Sequence, residues 1–150
     1  MILVDTNLLI YATDKSNLRH DAARSWLEGQ FTGGTEVAFA WVALLGFIRI
    51  TTNPRVMPNC FSMQAATSHV STWLSHPNSR LVGPTSNHWQ RLQTMLQSAP
   101  KGGNLTTDAH LAALAVEHDC ELCTADGDFN RFPGLKWRNP LSTAPTSAAS

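Results

Sequence analysis

No apolar run in the chain approaches the ~20 residues that a membrane-spanning helix needs. The N-terminus lacks a basic n-region and a long apolar h-region, because Asp5 interrupts the apolar residues at once; no secretory signal is expected. Cysteine is scarce and odd in number, and Cys60, Cys120 and Cys123 imply no disulfide framework. Together these absences predict a cytoplasmic protein. Cys120-Glu-Leu-Cys123 has a C-x-x-C spacing, but no second Cys or His pair completes a zinc site. Along a strand, moreover, positions three apart face opposite ways. Acids are also missing over a long stretch: none lies between Glu36 and Asp108, while Arg49, Arg55, Arg80, Arg91 and Lys101 do. The formal net charge of zero therefore hides a segregation, with acids at the two ends of the chain and bases in the middle. An anionic polymer lying across an acidic site would need that distribution. The same five basic groups would serve equally as ordinary solvated side chains.

What remains is a chain of 150 residues, 43% hydrophobic, enough for one domain with one core. Ile2–Val4 reads as a strand buried on both faces, since covered parallel strands are continuous apolar runs. Val37–Ala40, Arg80–Val82, Leu122–Thr124 and Leu135–Trp137 are the other expected strands. Helices are expected over Asn7–Ala12, Leu18–Phe31, Trp41–Thr51, from Ser62 to before Pro77, over Ser86–Ser98, and from a Thr106 or Thr107 cap to His118. In the helix after Ser86, Trp89, Leu92, Met95 and Leu96 share one stripe. Strands alternating with helices predict an α/β fold, a three-layer sandwich with a central parallel sheet of about five strands. The domain is placed at residues 1–141. Residues 142–150, without a large apolar group, are expected to be a disordered tail.

Four aspartates stand where elements meet loops. Asp5 ends the first strand, where ligand-binding groups sit in open α/β sheets; an aspartate there can also simply cap the next helix. Asp108 shares a helix face with Leu111, Ala112 and Ala115, at spacing i, i+3, i+4, i+7. Its ordinary alternative is to complement the positive end of the helix dipole, which needs no carboxylate on the core-facing stripe. Asp126 and Asp128 follow the strand that ends near Thr124, in an Asp-Gly-Asp sequence that also makes common turns. Phe129 and Phe132 should anchor that loop. Carboxylates gathered at one sheet edge repel one another unless a cation lies between them. Their oxygen donors suit Mg²⁺ or Mn²⁺.

With Ile2-Leu-Val-Asp5-Thr-Asn7, Asp108-Ala-His-Leu-Ala-Ala113 and Thr124-Ala-Asp-Gly-Asp-Phe129 in this order, the chain resembles the PIN-domain family, and within it the VapC toxins of bacterial toxin–antitoxin pairs. The resemblance covers roughly residues 1–141. It implies a five-stranded parallel sheet flanked by helices and Mg²⁺- or Mn²⁺-dependent cleavage of structured RNA such as tRNA or a ribosomal RNA loop. It also implies a homodimer and a small VapB-like antitoxin that blocks the site. Carried over by position, Asp5, Asp108 and Asp126 match the metal-binding, catalytic acids, and Asp128 matches a further acid. Gly46 departs from the pattern, because the family usually carries a glutamate there. Thr6, Asn7, Arg49, Arg55 and Thr124 are the expected substrate contacts, with a hydrogen bond to a neighbouring carboxylate as the other role open to Thr124.

Two rivals differ in class. A phosphatase of the haloacid-dehalogenase type also places an aspartate after its first strand, but wants a second acid two residues on, where Asn7 stands. A PIN-like module that binds RNA or protein without cutting is the non-enzymatic rival, and Gly46 speaks for it.

Overall fold

A computed structural model of the protein describes residues 1–99 and 103–142. Lys101, Gly102 and all of the expected tail beyond Ser142 fall outside them. Five short strands form one sheet in the order β3-β2-β1-β4-β5, with every neighbouring pair parallel. They are β1 Ile2–Val4, β2 Val37–Phe39, β3 Ser79–Leu81, β4 Glu121–Cys123 and β5 Trp137–Arg138. β1, β2 and most of β4 are buried because helices cover both faces of the sheet. The helices are α1 Thr6–Thr13, α2 His20–Thr32, α3 Trp41–Thr51, α4 Met63–Ser75, α5 His88–Gln97 and α6 Asn104–Glu117. Their cores lie on opposite faces. Leu3, Ala38, Leu122 and the inner face of α6 pack with Met95, Phe129 and Phe132, while Val4, Val37, Phe39 and Cys123 pack with α1, α3 and α4.

The two cysteines of the C-x-x-C sequence divide between those cores, Cys120 in one and Cys123 in the other. Burial raises their thiols to about 11 and about 12, well away from reactive thiolates. The parallel α/β architecture and the limits of β1 and α3 match the expectation. Elsewhere three readings need correction. β5 begins two residues later than expected, at Trp137, and ends one later, at Arg138. Trp89 does not join the buried stripe of α5, for it is 63% exposed while Met95 is fully buried; α5 begins only at His88, so Trp89 sits at its edge. α6 begins at Asn104, after Gly103 at φ +66, a backbone region that glycine enters at no steric cost. Thr106 and Thr107 therefore lie inside the helix and cap nothing. No helix among the described residues is long and apolar enough to cross a membrane.

Candidate functional site: an acidic edge at the ends of β1 and β4

β1 and β4 are adjacent, with Val4 opposite Cys123. The residues that follow them, Asp5 and Thr124, are thus brought side by side from 119 positions apart. Thr124 is fully buried and ties the edge together. Its hydroxyl donates to Asp5 Oδ2 at 2.8 Å and accepts from Asn7 Nδ2 at 3.2 Å and from the Asp126 backbone N–H at 3.0 Å. Asn7 closes the ring by accepting from the Ala125 N–H at 3.2 Å. The Asp5 carboxylate also caps α1, accepting from the Thr6 N–H at 2.7 Å. Capping and convergence with other acids are therefore both true of Asp5. Asp126 caps a short 3-10 helix, Gly127–Arg131, by accepting from the Asp128 N–H at 2.9 Å.

Asp108 arrives from α6. Leu111, Ala112 and Ala115 are buried, so the face that Asp108 shares with them is turned inward, as its spacing predicts. With α6 starting at Asn104, no acid stands in its first turn, which weakens the helix-dipole account. The Asp108 carboxyl is pushed up to about 6, by burial first and then by the negative charges of Asp5, Asp126 and Asp128. Asp5 is raised as well; burial is the chief cause and Asp126 adds to it, against the lowering hydrogen bonds from Thr124 and Thr6. Four carboxyls thus share one electrostatic neighbourhood, at an energetic cost to one another.

Arg131 offsets that cost in part, since its guanidinium lowers Asp108. It donates from Nε to the Asp128 carbonyl at 3.1 Å. The sequence reading missed this residue. Its signal was the spacing of three from Asp128, which a 3-10 helix stacks on one side. Arg49 and Arg55, the expected cations, are exposed on the last turn of α3 and in the loop beyond. Neither side chain bonds to the acids. Thr6, Asn7 and Thr124 spend their hydrogen bonds inside the protein, Thr6 on the Ala43 carbonyl at 2.9 Å.

That last contact explains Gly46. A Cβ at this buried position would stand 3.1 Å from Thr6 Oγ1 and 3.5 Å from its methyl carbon. The Thr6 side chain, not a substitute acid, fills the space beside residue 46. Among the described residues no three His, Cys, Asp or Glu side chains are arranged to hold a metal ion as they stand. The donor chemistry nonetheless fits a hard divalent cation: the converging groups are all carboxylates and they destabilise one another without one. A cavity of about 500 Å³ bounded by α1, α2 and α4, with Leu27, Phe31, His69 and Trp73 in its walls, shares no residue with this edge.

A parallel α/β sheet with clustered aspartates past adjacent strand ends defines the class. The family model of the PIN domain matches residues 2–135, and the chain belongs to that family. It is 42% identical over 140 residues to ribonuclease VapC37 of Mycobacterium tuberculosis, covering 93% of this chain and 97% of that one. To ribonuclease VapC33 of the same organism it is 37% identical over 141 residues, covering 94% and 99%. Among solved structures, VapBC2 from Rickettsia felis, bound to a DNA fragment from its promoter, superposes with a TM-score of 0.68 at 19% identity, over 93% of this chain and 98% of that one. VapBC-1 from nontypeable Haemophilus influenzae gives the same TM-score at 14% identity, over 95% and 100%. These two establish the fold alone; the VapC likeness rests on the sequence relatives.

Proposed function

We propose that this protein is an endoribonuclease toxin of the VapC type, dependent on Mg²⁺ or Mn²⁺, that cleaves structured RNA such as tRNA or an rRNA loop. The observation that carries the reading is the convergence of carboxylates at one sheet edge, Asp5 and Asp126 joined through Thr124 and Asp108 raised by burial and then by the charges of Asp5, Asp126 and Asp128. Arg131 offsets that repulsion only in part, so the edge is suited to a further cation. Asp5, Asp108 and Asp126 would hold the metal, with Asp128 assisting. When bound, the metal supplies an activated water and neutralises charge on the scissile phosphate. Thr124 and Asn7 hold the Asp5 carboxylate in one rotamer and tie its strand to that of Asp126. Thr6 packs α3 against the start of α1. No residue is required as a general base on the ribose, so the products would carry 5′-phosphate and 3′-hydroxyl ends. The catalytic unit is residues 1–141. It would work in the cytoplasm as a homodimer, and a small VapB-like antitoxin would restrain it.

The second reading is a PIN module that binds RNA without cutting it. The observation favouring it is Gly46, packed against Thr6 where an acid would stand. One experiment separates the two. Antitoxin-free protein is incubated with total bacterial RNA in Mg²⁺, in Mn²⁺ and in EDTA, beside an Asp5→Asn control. Discrete fragments with 5′-phosphates that need metal and vanish in the control support the nuclease. RNA bound but intact under every condition supports the binding module.

A further inference from the structure

The acidic edge poses a problem for any polyanion: four aspartates repel the phosphate that must come to them. Arg131 is placed to solve it. The 3-10 helix Gly127–Arg131 is fixed at its start by the Asp126 cap and at its core by fully buried Phe129. Residues three apart in such a helix eclipse one another, so Arg131 lies on the same side as Asp128. Its Nε is anchored on the Asp128 carbonyl at 3.1 Å, which fixes the guanidinium by its base. Among the described residues the terminal nitrogens donate no hydrogen bond, and Nη2 stands a loose 3.8 Å from Asp128 Oδ1. The side chain is 37% exposed, so the open fork is accessible. Three other arginines are occupied, Arg80 with Glu36 at 2.8 Å, Arg138 with Glu121 at 2.7 Å and Arg24 with Glu28 at 3.0 Å, and the exposed Arg49 and Arg55 bond to none of the clustered aspartates.

We propose that the free fork of Arg131 grips an RNA phosphate at the acidic edge, making it a substrate-contacting catalytic residue that the sequence pattern did not reveal. The proposal rests on the ribonuclease reading for its substrate. A guanidinium offers two parallel N–H groups to a phosphate. Held at its base, it loses little freedom in doing so. It is also a cation beside the metal-binding acids, and so disfavours a metal there while favouring a phosphate. Those opposite signs distinguish it from a residue that merely shapes the loop.

The test uses the full chain with Arg131→Ala and Arg131→Lys, alone and in the cleavage-deficient Asp5→Asn background. Binding of fluorescently labelled bulk tRNA is measured against salt, and binding of Mn²⁺ alone by electron paramagnetic resonance. Arg131→Ala should weaken tRNA binding about tenfold, lower the log–log salt slope by about 1, and tighten Mn²⁺ binding. Arg131→Lys, which keeps the charge without the fork, should restore the salt slope but only part of the affinity. Weakening of both tRNA and Mn²⁺ would overturn the proposal, for it would mean that Arg131 only builds the loop. Unchanged tRNA affinity with wild-type cleavage would overturn it equally, and leave the nuclease standing. Lost tRNA affinity in a protein whose wild type cuts nothing would uphold the phosphate contact while the nuclease reading falls.

Discussion

Asp108 and Glu117 stand toward opposite ends of one helix, α6, and their carboxyls are driven in opposite directions. Both feel the cost of burial. At Glu117 it is overcome: Oε1 accepts from the Thr85 N–H at 3.0 Å and from the Thr85 hydroxyl at 2.6 Å, and Oε2 pairs with His88 Nδ1 at 2.6 Å. Its carboxyl is held below the usual range. His88 passes the chain on, Nε2 meeting His110 Nδ1 at 2.9 Å. At Asp108 the neighbours are three more aspartates, and the carboxyl climbs to about 6. One cluster is self-satisfied and clamps α5 to α6. The other is offset only in part, by Arg131, and leaves a place for a cation from outside. A buried polar group whose partners are all inside the chain serves the fold; one whose nearest neighbours share its sign points to a ligand.

The largest effect expected from breaking this contrast is on catalysis. Replacing Asp5 or Asp108 with Asn should reduce RNA cleavage by about a thousandfold or more, the several kcal/mol that a metal supplies to phosphoryl chemistry. Gel assays on tRNA with saturating Mg²⁺ would measure it. The same assay on Glu117→Ala, at a temperature where that variant stays folded, should show nearly wild-type cleavage. A loss as deep as that of Asp108→Asn would mean the two ends of α6 are not separable.

On stability the order reverses. Glu117→Ala leaves the exposed Thr85 donors to water and His88 Nδ1 without its acceptor, at a cost of about 1–2 kcal/mol. Urea unfolding should report it as a lower midpoint. An unchanged midpoint would show that the clamp between α5 and α6 is ornamental.

Much of this was legible beforehand, for identifiable reasons. β1 and α3 were readable because each is a contiguous apolar pattern with a clear stop. The inward turn of Asp108 followed from its spacing to Leu111, Ala112 and Ala115. The aspartates could be gathered at one edge because a parallel sheet puts strand ends together whatever the loops do. What escaped depended on partners distant in the chain. A carboxylate partner for Thr124 could be expected and is Asp5, 119 positions away; its further bonds to Asn7 and to the Asp126 backbone could not. His88 and Glu117 lie 29 apart, and nothing local in either helix declares the other. The start of α6 was misplaced because Gly103, which opens it, offers no side-chain cap to read. Arg131 was passed over because Asp-Gly-Asp reads as a turn, whereas the structure continues it into a 3-10 helix.

A smaller and more diagnostic effect concerns the metal. Ligation needs the carboxylate, and the Asp108 carboxyl rises to about 6. Mn²⁺ affinity should therefore weaken as pH falls through about 6, which isothermal titration at several pH values would register. An affinity flat from pH 7.5 down to 5 would remove Asp108 from the ligand set.

The smallest effect has the least intuitive sign. A carboxyl whose folded-state pKa lies above its unfolded value favours folding most when protonated, and that contribution is lost as pH rises through about 6. Metal-free Asp108→Asn, which cannot ionise, should therefore be more stable than the wild type at pH 7.5. The full shift would correspond to about 3 kcal/mol. Asp108 is partly exposed, and screening should reduce that to roughly 1 kcal/mol. The advantage should shrink below pH 6 and vanish near pH 4, where the wild-type carboxyl is protonated in both states. His69 and His110, whose pKa values burial lowers, act the other way in this range. They are present in both proteins, so to first order the difference in melting temperature between the two isolates Asp108. Saturating Mg²⁺ should invert the sign, stabilising only the chain that keeps its carboxylate. A variant that is dead as an enzyme, sturdier without metal and weaker with it would identify Asp108 as a residue kept against the interest of the fold.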